Sequence, residues 1–464
     1  MAAAVPFTPE LPTRFPLAVE PSNRDATTNA DARLVNGYVE THGKDIYVYR
    51  RPGLGLYSST SSGTGRGIYN WQGDVYSVVN GTLYRNAVSV GSVVSSGFYS
   101  FDSVLGAVPK LVLSNGVQAY RFDVAGGLHP LTGVTPPVGN VPGWAFVDGT
   151  LYYMTPGAQI YGSGINDPTT WDADNFLTAQ IEPDAGVALR KHLVYVLAFK
   201  TWTTEAFYDR GNATGSPLAP VQGALMTWGC ADPYSIQNVD GKLLFLAKTK
   251  SGSVQVVMID NLKAQVVSTK WIEKLFFNES AFTSIVSWGY KGAGHSFYVL
   301  TLRDLNLTLA YDLVEGLWTQ WTDTNGNYMP IVSSTFVNTM SLLQHESNGN
   351  IYGMQENTNT DDGALVTWEL YTPNFDAGID VRKTLNTLRI TGDVYPGSVI
   401  QARCNDYDYD PTKWTAFRDF DMSRERPTIV NCGTFYRRAY HLKHRLDTPV
   451  RVMSLDLQLS AGTL

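Results

Sequence analysis

Three carboxylates at alternate positions, Asp406, Asp408 and Asp410, form the densest set of potential ligands in the chain. On a strand they would share one face, and in a loop they could ligate calcium. An EF-type calcium loop needs Gly at its sixth position and Glu at its twelfth, where this chain carries Pro411 and Phe417. A solvated loop is therefore the expectation, and no metal or other cofactor is assigned. His345-Glu346 lacks the second histidine, four residues on, that a zinc site would require. No Gly-x-Ser-x-Gly elbow, phosphate-cradling glycine loop or Cys-x-x-Cys pair occurs. No catalytic residue is assigned, and the chain reads as a non-enzyme.

A second candidate is a strand with two unlike faces. Between Phe435 and Leu446 the odd positions Arg437, His441, Lys443 and Arg445 make a basic row. The even positions Tyr436, Tyr440, Leu442 and Leu446 make an apolar row, broken by Arg438 and His444. Alternation would bury one row and expose the other. The basic row is then a candidate interface for an acidic neighbour subunit or for phosphates, against a merely solvated sheet face. The segment Ser163–Trp171 resembles the Asp-box turn of sialidase-type propellers, without that turn's central Gly. Such turns are structural, and glycoside cleavage would need two carboxylates at a defined separation.

The elements that must position these residues are hairpins. Asp148-Gly149 lies between Trp144–Val147 and Leu151–Met154, and Asn80-Gly81, Asn115-Gly116, Asp240-Gly241 and Asn348-Gly349 repeat the pattern. Such pairs supply the positive φ of tight hairpin turns. Recurrence about every 45 residues is the mark of a β-propeller. The expected fold is all-β: a six- or seven-bladed propeller over 41–365, an extended N-terminal arm over 1–40 and a C-terminal β-sandwich-like domain over 366–464. The strand near Asp45–Arg50 is expected to complete a late blade and so close the ring.

Charge supports the second boundary. From Leu365 onward there are 13 Lys and Arg against 12 Asp and Glu, leaving 22 against 30 before it. An acidic body of net −8 thus precedes a nearly neutral C-terminal region, which argues against a protein whose whole surface grips nucleic acid. Three widely spaced cysteines, Cys230, Cys404 and Cys432, cannot pair fully within one chain and point to synthesis in a reducing compartment. Residues 1–17, interrupted by Pro6, Pro9, Glu10, Pro12 and Pro16, do not read as a signal peptide. The longest apolar run, Leu193–Phe199, is too short to span a bilayer.

Arg33-Leu34-Val35-Asn36-Gly37-Tyr38-Val39-Glu40, followed by Arg50-Arg51-Pro52-Gly53-Leu54, resembles the N-terminal signature of tail nozzle, or packaged-DNA stabilisation, proteins of short-tailed bacteriophages. Gly65–Tyr69, Asp167–Trp171 with Phe176, Ala179 and Pro183-Asp184, and Gly223-Ala224 with Gly229–Ala231 and Ser235 extend the likeness. The resemblance implies a structural virion protein of the tail, assembled in the host cytoplasm. It implies a homo-hexameric ring below the portal and its adaptor ring, closing the channel to retain DNA and conducting it at ejection. Implied partners are the adaptor ring, fibres, spikes or a needle, and transient double-stranded DNA, with no stable membrane insertion. A carbohydrate-binding or glycan-cleaving propeller is the alternative.

Overall fold

In a computed structural model, residues 13–15, 17, 31–43, 45–132, 138–212, 215–278, 284–378 and 380–461 are described. The chain divides into two compact units. One comprises Leu56–Asn306 and Pro330–Met354, and the other Met1–Gly55, Leu307–Met329 and Gln355–Leu464.

The first unit is a ring of seven antiparallel sheets. The first four, over 65–92, 100–130, 145–178 and 186–220, are four-stranded meanders. The fifth spans 229–266, the sixth contributes the hairpin Ile285–Gly292 and His295–Leu302, and the seventh begins with Ile331–Val337 and Met340–His345. Leu56–Ser59 follows the last strand of the seventh sheet, with the Thr60 amide donating to Gly349 O at 3.0 Å. Closure is therefore made there. The expected closing strand Asp45–Arg50 instead pairs with Gly37–His42 and with Arg451 and Val452 in the other unit.

Apolar contacts pass from sheet to sheet around the ring. Trp71 and Tyr76 meet Phe122, Val112 packs with Trp144 and Leu151, and Tyr152 packs with Leu189 and Phe207. Phe199 meets Phe245 edge-on, with ring centroids 5.0 Å apart. Tyr298 donates to Ser235 O at 2.8 Å, joining sheets five and six, and the Gly289 amide donates to Ser334 Oγ at 2.9 Å, joining six and seven. Ile68 and Val75 then pack on Leu342 and Ile351, returning to the first sheet. A ring closed in this way leaves only the short outer strands of its sheets with an unpaired flank.

The second unit is a β-sandwich assembled from three stretches of chain. One sheet orders Gly37–His42, Asp45–Arg50, Arg451–Ala461, Lys383–Gly392 and Thr428–Val430. Thr13–Phe15 pairs with Leu455–Leu457 on that same sheet. The other orders Leu307–Asp312, Leu317–Trp321, Arg33–Val35, Trp368–Tyr371, Ala439–His444, Val399–Asn405 and Arg418–Asp421. Leu34, Trp368 and Leu442 from one sheet, with Val48, Ile390 and Leu455 from the other, share a buried core. The sandwich thus extends beyond 366–464 to include residues 33–50 and 307–321. Most of the expected arm lies outside the described residues. Its described strands, Thr13–Phe15, Arg33–Val35 and the first residues of Gly37–His42, all pair within the chain's own sandwich sheets.

Candidate functional site

The signature stretches of the sequence build joints. Asn36 sits in the left-handed region at φ 55° and is fully buried. Its amide nitrogen donates to Thr322 Oγ1 at 2.7 Å and Thr367 O at 2.8 Å, while its oxygen accepts from Arg51 Nε at 2.9 Å. Arg51 also forms a fork with Asp361, at 2.6 and 3.1 Å, and donates to Thr322 O. A Cβ on Gly37 would strike Tyr49 O, Leu34 and Trp368. Four distant segments of the sandwich are tied at this one point.

The ring motifs behave alike. Asp167 accepts from Thr169 and Thr170, and Trp171 Nε1 donates to Pro168 O at 2.8 Å, so the Asp-box-like segment caps its own turn. Asp184 accepts from the Trp202 and Thr203 amides and pairs with Lys200 at 2.8 Å; Lys200 also meets Glu205 at 2.6 Å. All three side chains of this cluster are almost wholly buried. Gly229 lies where any Cβ would collide with the backbone of Lys200, Thr201 and Trp202. These residues hold blades in place.

The basic row is divided. Arg437 is exposed and ion-paired with Asp408, Arg445 is exposed beyond the strand's end, and Lys443 is half-buried, 3.7 Å from Glu369. His441 is buried: its ring stacks on Tyr371 at 3.8 Å, and Arg403 Nε donates to its Nδ1 at 2.9 Å. Burial lowers its pKa despite the nearby Glu369. The expected alternation fails because Ala439–His444 lies inside its sheet, between Trp368–Tyr371 and Val399–Asn405, with Trp414 and Phe417 edge-on to the His441 ring. Of the four residues, only Arg437 and Arg445 are exposed.

The three loop carboxylates do not converge. Asp406 receives a fork from the buried Arg438 at 2.6 and 2.8 Å, Asp408 pairs with Arg437, and Asp410 accepts from Thr412 at 2.7 Å. Among the described residues, no group of three or more acidic, histidine or cysteine side chains is placed to hold a metal. No helix among them is long and apolar enough to cross a membrane. Eight of the eleven tryptophans are buried, so these side chains pack mainly within the chain.

The feature that sequence reading missed is the ring axis. All seven sheets, through their first strands or the residues leading into them, line one cavity of about 240 Å³. Phe98 and Tyr234 meet there edge to face, with ring centroids 4.9 Å apart. A cavity of this volume has room for a cluster of waters. A DNA duplex, whose major groove alone is about 12 Å wide, cannot thread it.

A family model described as bacteriophage P22 Gp10, beta-propeller, matches residues 24–358. Among solved structures, the chain is similar to a catalytically inactive virginiamycin B lyase from Staphylococcus aureus with quinupristin. That similarity has 8% identity and a TM-score of 0.42, covering 65% of this chain and 97% of that one. A streptogramin B lyase structure gives 9% identity and a TM-score of 0.40, covering 66% and 97%. No curated protein matches. The family match extends over more than two thirds of the sequence, from the joint at Asn36 through all seven sheets. The chain therefore belongs to the bacteriophage P22 Gp10 β-propeller family, a family of structural phage proteins that stabilise packaged DNA.

Proposed function

We propose that this chain is a subunit of the tail nozzle of a short-tailed phage, in which copies encircle a shared axis that conducts DNA. The observation that carries the reading is the narrow axis of the propeller. A family member concerned with packaged DNA, whose own ring is closed to a duplex, needs a passage built between subunits rather than through one. A six-fold homomeric ring docked on a portal adaptor, with fibres, spikes or a needle attached, is the arrangement that the family likeness favours. The acidic balance before Leu365 suits a conduit that releases its cargo, because like charges repel phosphate while salt confines the effect to roughly 8 Å. Retention then falls to a constriction or plug. Arg437 and Arg445 remain proposed contacts for an acidic neighbour.

Mass measurement of the purified protein, alone and with the adaptor ring, tests the reading. Six copies with a duplex-sized central opening are expected, with weak binding to linear DNA at physiological salt. A protein that stays monomeric in both conditions, or that binds duplex tightly with a steep salt dependence, would overturn it.

A further inference from the structure

We propose that the axial cavity of the propeller binds a small phosphate-class oxyanion. Three cations line it: Arg66 from the first sheet, and Arg190 and Lys191 from the fourth. No aspartate or glutamate is among its described lining residues. Arg66, Arg190 and Lys191 form no ion pair among the described residues, in a chain whose net charge is −7. Like charges gathered around one cavity repel, and an entering anion removes that repulsion.

The cations are held in place by the ring. Arg190 donates to Pro142 O at 3.0 Å, Leu189 O at 2.9 Å and Pro233 O at 3.3 Å, so its charge meets only backbone carbonyls. Gly143, at φ 107°, makes room for it, since a Cβ there would collide with the guanidinium. Arg66 Nη1 donates to Gly97 O at 2.9 Å, and its Nε is buried with no hydrogen-bond partner. Lys191 is exposed and forms no side-chain hydrogen bond among the described residues. Lys191 acts on Asp102, whose two oxygens already accept from the Ser103 and Phe146 amides at 2.8 and 3.1 Å, and it also lines a neighbouring cavity that holds Asp148 and Asp209. Asn238 and Gln237 add amide groups to the wall. The volume suits phosphate or pyrophosphate and excludes a duplex. Charge-assisted hydrogen bonds from two guanidinium groups and one ammonium are the usual means of holding such an anion.

The test is calorimetric titration of the full-length protein with inorganic phosphate and pyrophosphate, at constant ionic strength set with chloride. Saturable binding of one anion per chain is expected, tighter for pyrophosphate, with a melting temperature that rises with ligand concentration. Lys191→Gln should weaken binding by about tenfold while leaving the ligand-free melting temperature unchanged. Arg66→Gln should weaken it similarly; if that variant misfolds, Lys191→Gln alone decides. Absence of saturable binding, or equal affinity in wild type and Lys191→Gln, would overturn the proposal.

Discussion

Replacing Lys200 with methionine should be among the most damaging changes to the propeller. The lysine is wholly buried and lies 2.8 Å from Asp184 and 2.6 Å from Glu205, with Glu182 O also at 2.6 Å. Methionine fills most of the space but leaves two buried carboxylates without their shared cation. Breaking a buried pair from one side costs about 3–5 kcal/mol, because the surviving charge is desolvated and uncompensated. For a unit of this size each kcal/mol is worth roughly 2–4 °C, so the propeller transition should fall by about 10 °C. The loss should also depend on pH. In the wild type, burial alone would raise the Asp184 pKa, but hydrogen bonds from Lys200, Trp202 and Thr203 outweigh it and lower it. Asp184 therefore adds stability that is complete above the unfolded carboxylate range and is lost as pH falls through its lower folded value. Without the lysine, burial is opposed less, the folded carboxyl favours its proton, and the variant recovers part of its deficit as pH falls from 7 towards 5. Urea unfolding at several pH values measures this. A deficit below about 1 kcal/mol, or one that is constant with pH, would refute the reasoning.

Gly229→Ala should destabilise the fifth sheet by about 3 kcal/mol, since the colliding atoms are backbone and cannot swing aside; urea midpoints of the variant would show it. In the sandwich, burial and the Arg50 charge push the His444 pKa down to about 4. The unfolded chain then takes up its proton first, so stability is present above about pH 6.5 and declines towards pH 4, by about 1.4 kcal/mol per unit at most. His444→Gln should flatten that slope in pH-dependent denaturant curves, and parallel slopes would contradict the assignment.

The hairpin rhythm could be read because turn chemistry is local. Whereas Asn80-Gly81 adopts positive φ only at Asn80, and Asn115-Gly116 and Asn348-Gly349 only at the glycine, Asp148-Gly149 and Asp240-Gly241 adopt it at both positions. Asn86-Ala87 and Asn261-Leu262 adopt the same geometry with a non-glycine second residue, and no residue-type rule singles them out. The sandwich boundaries were hidden for a different reason. A strand such as Arg33–Val35 shows its own periodicity but not that its partner is Trp368–Tyr371. The basic row failed because alternation presumes one wet face, whereas Tyr371, Trp414 and Phe417 cover His441. Arg66 and Arg190 lie far apart in sequence, and only closure of the ring makes them neighbours of one cavity.

The stitched construction of the sandwich sets the order in which the protein can mature. Asp45–Arg50 leaves the ribosome long before its flanking partner Arg451–Ala461. At about 5–20 residues per second, roughly 400 intervening residues take about 20–80 s to synthesise. Through that interval the hairpin Gly37–Arg50 has one flank unpaired, while the propeller sheets before the seventh, each built from neighbouring strands, form as they emerge. The nascent chain should therefore depend on chaperones through its first hairpin, and a C-terminal truncation before Arg451 should aggregate through that flank while its blades remain native.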